Sequence, residues 1–149
     1  MSGEEYIALA GRLVASTALG SPEARFRTAA SRADYGAYHL AVAVLATWGF
    51  KVKQNAYGHQ EVYNLFWGSG HAEARKVASL LDDLRTERIK ADYRMDDSRF
   101  QEPRTVMMCV EMAEDAKRYL ERCRSDADAA GGTRVHRADR RGLVLSRHA

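Results

Sequence analysis

The chain has few of the features that mark exported, membrane-spanning or disulfide-stabilised proteins. It contains two prolines and two cysteines among 149 residues. Its longest stretch without Asp, Glu, Lys or Arg runs from Tyr35 to Phe50, which falls short of the roughly 20 residues that cross a bilayer as a helix. The first residues, MSGEEYIALAG, carry neither a basic segment nor an apolar segment of the export-signal type. We therefore expect a cytoplasmic protein that does not enter a membrane.

The two cysteines, Cys109 and Cys123, lie in what the sequence predicts to be one helix. At about 1.5 Å of rise per residue they would be roughly 21 Å apart, far beyond the reach of a disulfide bond. No spacing of Cys, His, Asp or Glu resembles a zinc or iron site. The sequence therefore predicts free thiols, no metal and no cofactor.

Basic charge is concentrated at the C-terminal end. The net charge is +3, but five arginines and a single aspartate follow Gly132, which leaves residues 1–132 with a net charge of −1. A nearly neutral body does not predict the broad basic surface of many nucleic-acid-binding proteins. We expect one domain over residues 1–126 and a basic, disordered tail over residues 127–149.

The sequence favours helices throughout and contains no strand-like alternation of useful length. Ser21 and Pro22 suit the first residues of a helix, and Gly49 suits the end of one. The predicted helices are Gly3–Ala18, with Tyr6, Leu9, Leu13 and Val14 on its apolar side, Pro22–Trp48, about His59–Trp67, about His71–Tyr93, and one from Pro103. Short connections between such helices predict an all-α, antiparallel up-and-down bundle of four to five helices.

Arg88 is the first polar residue that does not fit the pattern of its helix. It continues the apolar stripe of Val77, Leu81 and Leu84, so it should point into the bundle. A buried guanidinium requires a partner, and both Asp92, one turn later, and Asp34, on the second helix, are candidates. Such an ion pair could fix the register of two helices, or it could belong to a binding site.

A second polar stripe lies on the predicted second helix. Arg32 and His39 are seven residues apart, which places them within about 20° of each other around the helix, and Tyr35 lies between them. The stripe could hold a phosphate against Arg32 while His39 handles a proton. Alternatively, the tyrosine and histidine pack at a helix interface.

The connector NAYGHQEVYN contains Asn55 and His59, in a position where loop residues often perform chemistry. Either residue could instead begin the short helix. Several aromatic residues follow, which could stack on bases but more often form part of a core. These are Tyr57, Tyr63, Phe66 and Trp67.

Two segments of the chain resemble HEPN-domain proteins (higher eukaryote and prokaryote nucleotide-binding), and most closely their small stand-alone prokaryotic branch. The first segment matches a Ser-Arg-Ala-aromatic-Tyr…aromatic-His pattern at Ser31, Arg32, Ala33, Tyr35, Tyr38 and His39. The second matches an Arg-x-x-Ala-Asp-Tyr pattern at Arg88, Ala91, Asp92 and Tyr93. The similarity spans about Ala24 to Leu120. Asp34 stands where the pattern usually has an aromatic residue.

The resemblance implies an all-α bundle, often homodimeric, that acts on RNA or nucleotides in toxin–antitoxin or related defence systems, frequently beside a minimal nucleotidyltransferase partner. Many members are metal-independent ribonucleases with an Arg-x(4–6)-His motif on a late helix. Here no histidine follows Arg88 at that spacing, and the Arg32-x6-His39 pair lies on the early helix instead.

We therefore expect an RNA- or nucleotide-binding protein, and metal-independent ribonuclease activity is one form that this function could take. The expected catalytic residues are Arg88, His39 and Asp92. The expected ligand-binding residues are Arg32, Tyr35, His59 and Tyr93. An alternative is a non-catalytic, dimerising interaction module that docks a nucleotidyltransferase partner, and a third is weak nucleic-acid binding by the basic tail alone.

Overall fold

The computed structural model describes the backbone of residues 1–129 and the side chains of residues 1–126. These residues form an all-α bundle, as the sequence predicts, and no strand occurs among them. The helices are Gly3–Ala15 (α1), Pro22–Thr47 (α2), Gly58–Gly68 (α3), Ala72–Tyr93 (α4) and Pro103–Ala129 (α5), with a 3-10 turn at Ser98–Gln101 before α5.

Side-chain caps set the starts of the first two helices. The Ser2 hydroxyl accepts from the Glu5 backbone N–H in a reciprocal capping box, and the Ser21 hydroxyl accepts from the Ala24 N–H with Pro22 at the first helical position. Helix α1 ends at Ala15, three residues earlier than predicted. Ser16 is extended there, and its hydroxyl accepts from the Ala18 N–H, a local bond that competes with continuation of the helix.

Consecutive long helices run antiparallel, as their contacts demonstrate. Arg27 near the start of α2 bonds to carbonyls at the end of α4, whereas Asp34, further along α2, contacts Arg88, which lies earlier on α4. Helix α4 is likewise antiparallel to α5, because His71 at its start contacts Asp126 near the end of α5.

The small residues of α2 allow α1 to approach closely. A Cβ atom added to Gly36 would lie 2.6 Å from Ile7 Cγ1, and one added to Gly3 would lie 2.6 Å from the Gly36 carbonyl oxygen. The backbones of α1 and α2 therefore touch at a site where neither helix can carry a side chain. This close approach brings Tyr6 of α1 against the polar stripe of α2.

The core draws on all five helices, but the buried side of α1 is displaced from the predicted apolar side, of which Leu13 and Val14 still pack against the core. Ile7 and Ala10 are buried, whereas the predicted Tyr6, Leu9, Leu13 and Val14 are only half-buried. The reason is the contact between Gly3 and Gly36, because the side of α1 that carries Gly3 faces α2 there. The periodic positions of α4 and α5 are buried as predicted, among them Val77, Leu81, Leu84, Val106, Ala113 and Leu120.

Helix α5 extends to Ala129, beyond the change in composition near Arg124 and into the predicted tail. The rest of that tail, residues 130–149, lies outside the described residues. Cys109 and Cys123 are both free and buried in α5, as predicted. No helix within residues 1–129 is both long and apolar enough to cross a bilayer.

Candidate functional site

The two polar stripes meet where α2 packs against α4. Arg88 Nε lies 3.0 Å from Asp34 Oδ2 on α2, and Arg88 Nη1 lies 3.3 Å from Asp92 Oδ2 on its own helix. Both partners that the sequence offered to Arg88 are thus used at once. The Arg88 side chain is 14% exposed, so one guanidinium is held between two carboxylates at the edge of the core.

Asp34 is the most deeply buried ionisable group of this cluster, with a side chain 1% exposed. Within residues 1–126 neither of its carboxylate oxygens has a well-aligned hydrogen bond, so its 3.0 Å contact with Arg88 is chiefly an ion pair. Burial raises the pKa of Asp34 to about 6, against the opposing attraction of Arg88 and Arg85. The residue occupies the position at which the HEPN-like pattern has an aromatic side chain.

Tyr35 lies at the junction of the two stripes. The guanidinium of Arg32 is 5.3 Å from the Tyr35 ring centroid, and that of Arg88 is 5.5 Å from it. Arg32 also lies over the Tyr6 ring of α1, at 5.4 Å. Two cations from different helices therefore contact one aromatic ring, an arrangement that attracts each of them to the ring quadrupole.

His39 is exposed and is surrounded by tyrosines. Its ring centroid is 5.7 Å from that of Tyr6, 5.6 Å from that of Tyr38 and 6.4 Å from that of Tyr35. His39 and Arg88 therefore both neighbour the Tyr35 ring. The His39 ring and the Arg32 guanidinium both lie against the Tyr6 and Tyr35 rings.

A hollow of about 310 Å³ opens beside this cluster, between α2 and the C-terminal end of α4. Its lining includes the Arg32 and Asp92 side chains together with Ser31 and Thr28. No ion pair within residues 1–126 engages Arg32, and its Nε has no hydrogen-bond partner there. The hollow therefore combines a guanidinium without an ion pair and the Ser31 hydroxyl, both of which can donate to an anionic oxygen, whereas the Thr28 hydroxyl already donates to the Ala24 carbonyl oxygen.

His59 belongs to a neighbouring part of the same surface. It lies near the start of α3 and stacks on Tyr38, with ring centroids 4.1 Å apart. Burial, with the positive charges of Arg85 and Arg88, lowers the pKa of His59 to about 4. The imidazole is therefore neutral at physiological pH. Asn55 lies in the connector, where its side chain accepts from the Tyr57 N–H.

Tyr93 takes no part in this cluster. It is 74% exposed at the last residue of α4, whereas Asp92 beside it points to Arg88. The structure thus brings Arg32, Tyr35, His39, Arg88 and Asp92 together, places His59 one aromatic ring away and leaves Tyr93 outside.

Sequence reasoning missed several residues of this region. The sequence around Tyr6 and Arg85 does not mark them as site residues, because only the packing of α1 and α4 against α2 brings them to the candidate site. Arg27 was also missed. It is buried and donates to five carbonyl groups at and beyond the end of α4, those of Lys90, Ala91, Arg94, Met95 and Asp97. Its position one turn before the Arg32 stripe gave a weak hint.

The arrangement is suited to binding an anion and to proton transfer. Metal-free cleavage of RNA requires a proton acceptor, a proton donor and a cation near the reacting phosphate. His39 and Arg32 can supply a proton-transfer group and a cation, whereas Arg88 is already engaged by two carboxylates. Within residues 1–126, no three His, Cys, Asp or Glu side chains are grouped so that they could hold a metal ion.

Comparisons with known proteins give no further guidance to the site. No family model matches the chain, and neither a curated protein nor a solved structure was found to be similar to it.

Proposed function

We propose that this chain is a HEPN-like protein that binds the phosphate of an RNA or nucleotide at the hollow between α2 and α4, and that it works within a toxin–antitoxin or related defence system. The observation that carries this proposal is the state of Arg32. This half-buried guanidinium lines the hollow, has no acidic partner among residues 1–126 and lies over two tyrosine rings.

The charges around the hollow favour contact with a single phosphate over a broad nucleic-acid surface. Arg88 is neutralised by Asp34 and Asp92, and Arg27 is saturated by carbonyl groups. Arg32 is therefore the cation of this cluster that remains available to a ligand. Tyr35 and Tyr6 hold the guanidinium in place, which reduces the side-chain entropy lost on binding.

Metal-independent ribonuclease activity is the catalytic form of this proposal. In that form His39 transfers a proton, while Arg32 stabilises charge on the phosphate. Asp92, which contacts Arg88, orients that guanidinium. Its carboxylate also limits how much negative charge the hollow can accept.

The experiment compares the full chain with two matched arginine variants. Binding of a fluorescein-labelled single-stranded RNA is followed by anisotropy for the wild type, Arg32→Ala and Arg75→Ala. Arg75 is an exposed arginine of α4, about 20 Å from Arg88 along the helix axis. We expect Arg32→Ala to weaken binding about tenfold or more and Arg75→Ala to leave it unchanged.

The same preparations, incubated with mixed RNA in the presence of EDTA, test catalysis. Cleavage that His39→Ala abolishes supports the ribonuclease form. Binding without cleavage supports a binding protein only. Equal binding by Arg32→Ala and Arg75→Ala contradicts the proposed site, and it assigns any observed affinity to another part of the chain, such as the basic C-terminal residues.

A second candidate function is supported by the double pairing of Arg88. A guanidinium that joins α2 to α4 through Asp34 could have a purely structural role, which is to fix the register of the two helices. Such a role is expected of a non-catalytic dimerising module that docks a nucleotidyltransferase partner. This candidate predicts a stable dimer in size-exclusion chromatography with light scattering, and no RNA binding that depends on Arg32.

A further inference from the structure

A second hollow lies on another part of the molecule, between the end of α3, the first half of α4 and α5. We call it the α3–α5 groove. It has a volume of about 450 Å³ and is lined by Trp67, Arg75, Lys76, Ser79, Leu80, Asp115 and Tyr119. None of these residues lines the hollow at Arg32. The size is within the range of about 300–1,000 Å³ that is typical of ligand pockets.

The apolar part of the groove is aromatic and accessible. Trp67 is 46% exposed, although Tyr63 stacks on it with ring centroids 5.8 Å apart. Leu80 and Tyr119 are half-buried beside it. Tryptophan, tyrosine and arginine are the residue types that carry most of the energy at protein–protein interfaces. A large indole left nearly half in water next to a tyrosine and an arginine is therefore a candidate anchor point.

Cations border this apolar part. Arg75 lies over Trp67 at 5.7 Å and donates from Nε to the Trp67 carbonyl oxygen, and within residues 1–126 it makes no ion pair. Lys76 lies 4.9 Å from the Tyr119 ring centroid, and Arg122 lies 5.6 Å from it.

Two acidic residues are also present but do not cancel this charge. Glu73 is shared between Lys76, at 3.6 Å, and Arg122, at 3.7 Å. Asp115 is paired with Arg118 on the adjoining turn of α5. The lining itself carries two cations, Arg75 and Lys76, and one carboxylate, Asp115, so its net charge is positive.

From this geometry we infer that the α3–α5 groove is a docking site for an acidic peptide segment of a partner protein. An apolar or aromatic side chain of the peptide enters between Trp67, Leu80 and Tyr119. Flanking carboxylates pair with Arg75 and Lys76. Complementarity of charge selects the partner, because a basic or neutral segment would leave Arg75 without a counter-charge.

A peptide fits the groove better than a nucleobase does. Stacking on single-stranded nucleic acid requires free aromatic faces. Here Tyr63 and Arg75 already contact the Trp67 ring, and Lys76 and Arg122 lie against Tyr119, so each ring is only partly free. What the groove offers is the free parts of these rings, the Leu80 side chain and cationic heads, which are the contacts that a short amphipathic segment can use.

The test is a selection from a random twelve-residue peptide display library on the full chain. Selected peptides are then synthesised with a fluorescent label, and their affinities are measured for the wild type, Trp67→Ala, the double variant Arg75→Glu/Lys76→Glu, and the control Arg32→Ala. Exposed positions are chosen so that the variants fold, which circular dichroism and thermal melting check. A labelled oligouridine is titrated in parallel.

We expect the selected peptides to be enriched in Asp and Glu and to contain an apolar or aromatic residue. Trp67→Ala and the double variant should each weaken binding about tenfold or more, and Arg32→Ala should leave it unchanged. Peptides without acidic enrichment, or equal affinity for the double variant, would overturn the proposal. Oligouridine binding that Trp67→Ala abolishes would overturn it in favour of a nucleic-acid site.

Discussion

Arg88 on α4 places its Nε 3.0 Å from Oδ2 of Asp34 on α2, and this contact joins the two helices that form the candidate site. A carboxylate whose side chain is 1% exposed and has no well-aligned hydrogen bond among the described residues depends on its counter-charge more than on any other interaction. The stability of the bundle and the chemistry of the site are therefore coupled through one ion pair.

Removal of Arg88 should destabilise the protein strongly. Arg88→Ala leaves Asp34 buried without a cation, and we expect a loss of about 3–5 kcal/mol in the free energy of unfolding, measured by urea denaturation. The double variant Arg88→Ala/Asp34→Asn removes both charges, so it should recover a large part of that loss. A double variant no more stable than Arg88→Ala would contradict the pairing.

Stability should respond to pH through two groups with opposite signs. The raised pKa of Asp34, about 6, means that the folded chain binds more protons than the unfolded chain between about pH 4 and 6. The contribution of Asp34 is therefore greatest below its ordinary pKa of 3.8 and is lost as the pH rises through about 6. The lowered pKa of His59, about 4, acts in the other direction. Its contribution is present above pH 6.5 and is lost as the pH falls through about 4.

Two variants separate these effects. Relative to wild type, Asp34→Asn should gain stability as the pH rises from 4 to 7, and His59→Gln should gain stability as the pH falls from 6.5 to 4. Urea denaturation at half-unit steps of pH measures both difference curves. The Arg88, Arg85 and Asp92 charges around Asp34 are present in both variants, so a flat curve for Asp34→Asn would show that its pKa is not raised.

The contact between α1 and α2 predicts a contrast between two glycines. Gly36→Ala puts a Cβ atom 2.6 Å from Ile7 Cγ1 and 2.8 Å from the Gly3 carbonyl oxygen. We expect a loss of about 1–3 kcal/mol, together with weaker RNA binding, since α1 carries Tyr6 against Arg32. Gly11→Ala is the control, because nothing lies within 4 Å of its added Cβ atom. It should stabilise α1 by about 0.5–1 kcal/mol. Similar thermal melting of the two variants would contradict the close approach.

Arg27 should be a structural residue that tolerates no substitution. Its Nη1 donates to the Ala91 and Arg94 carbonyl oxygens, each at 3.0 Å, and its Nη2 donates to that of Asp97 at 3.1 Å. We expect Arg27→Ala to lose about 2–4 kcal/mol, since one buried and four partly buried hydrogen bonds to carbonyl groups are removed. Arg27→Lys should lose more than half as much, because a single nitrogen cannot replace the guanidinium fork.

A control for Arg27 is available in the same region. Arg99 pairs with Asp97 and Glu87 at the surface, and Arg99→Ala should change the unfolding free energy by no more than about 1 kcal/mol. Hydrogen exchange at residues 94–100 should accelerate in the Arg27 variants and not in Arg99→Ala. Equal effects of the two alanine variants would show that Arg27 is not the residue that holds the end of α4.

The sequence by itself determined the helical class, the approximate helix bounds and the buried stripes of α4 and α5. These depend on periodicity, caps and chain-breaking residues, which are local properties of the chain. It also determined that Arg88 needs a carboxylate, because an apolar stripe interrupted by a guanidinium requires one wherever the helix packs.

Only the tertiary structure decided which carboxylate that is and what else gathers around it. Asp34 adds to Asp92, which is one turn from Arg88 on the same helix, because α2 lies antiparallel to α4 at the register that Arg27 fixes. Tyr6 joins the site because Gly3 and Gly36 let α1 approach, and Tyr93 stays outside because the last turn of α4 directs it to solvent. Such contacts join residues tens of positions apart, so the local patterns of the sequence do not predict which of these residues meet.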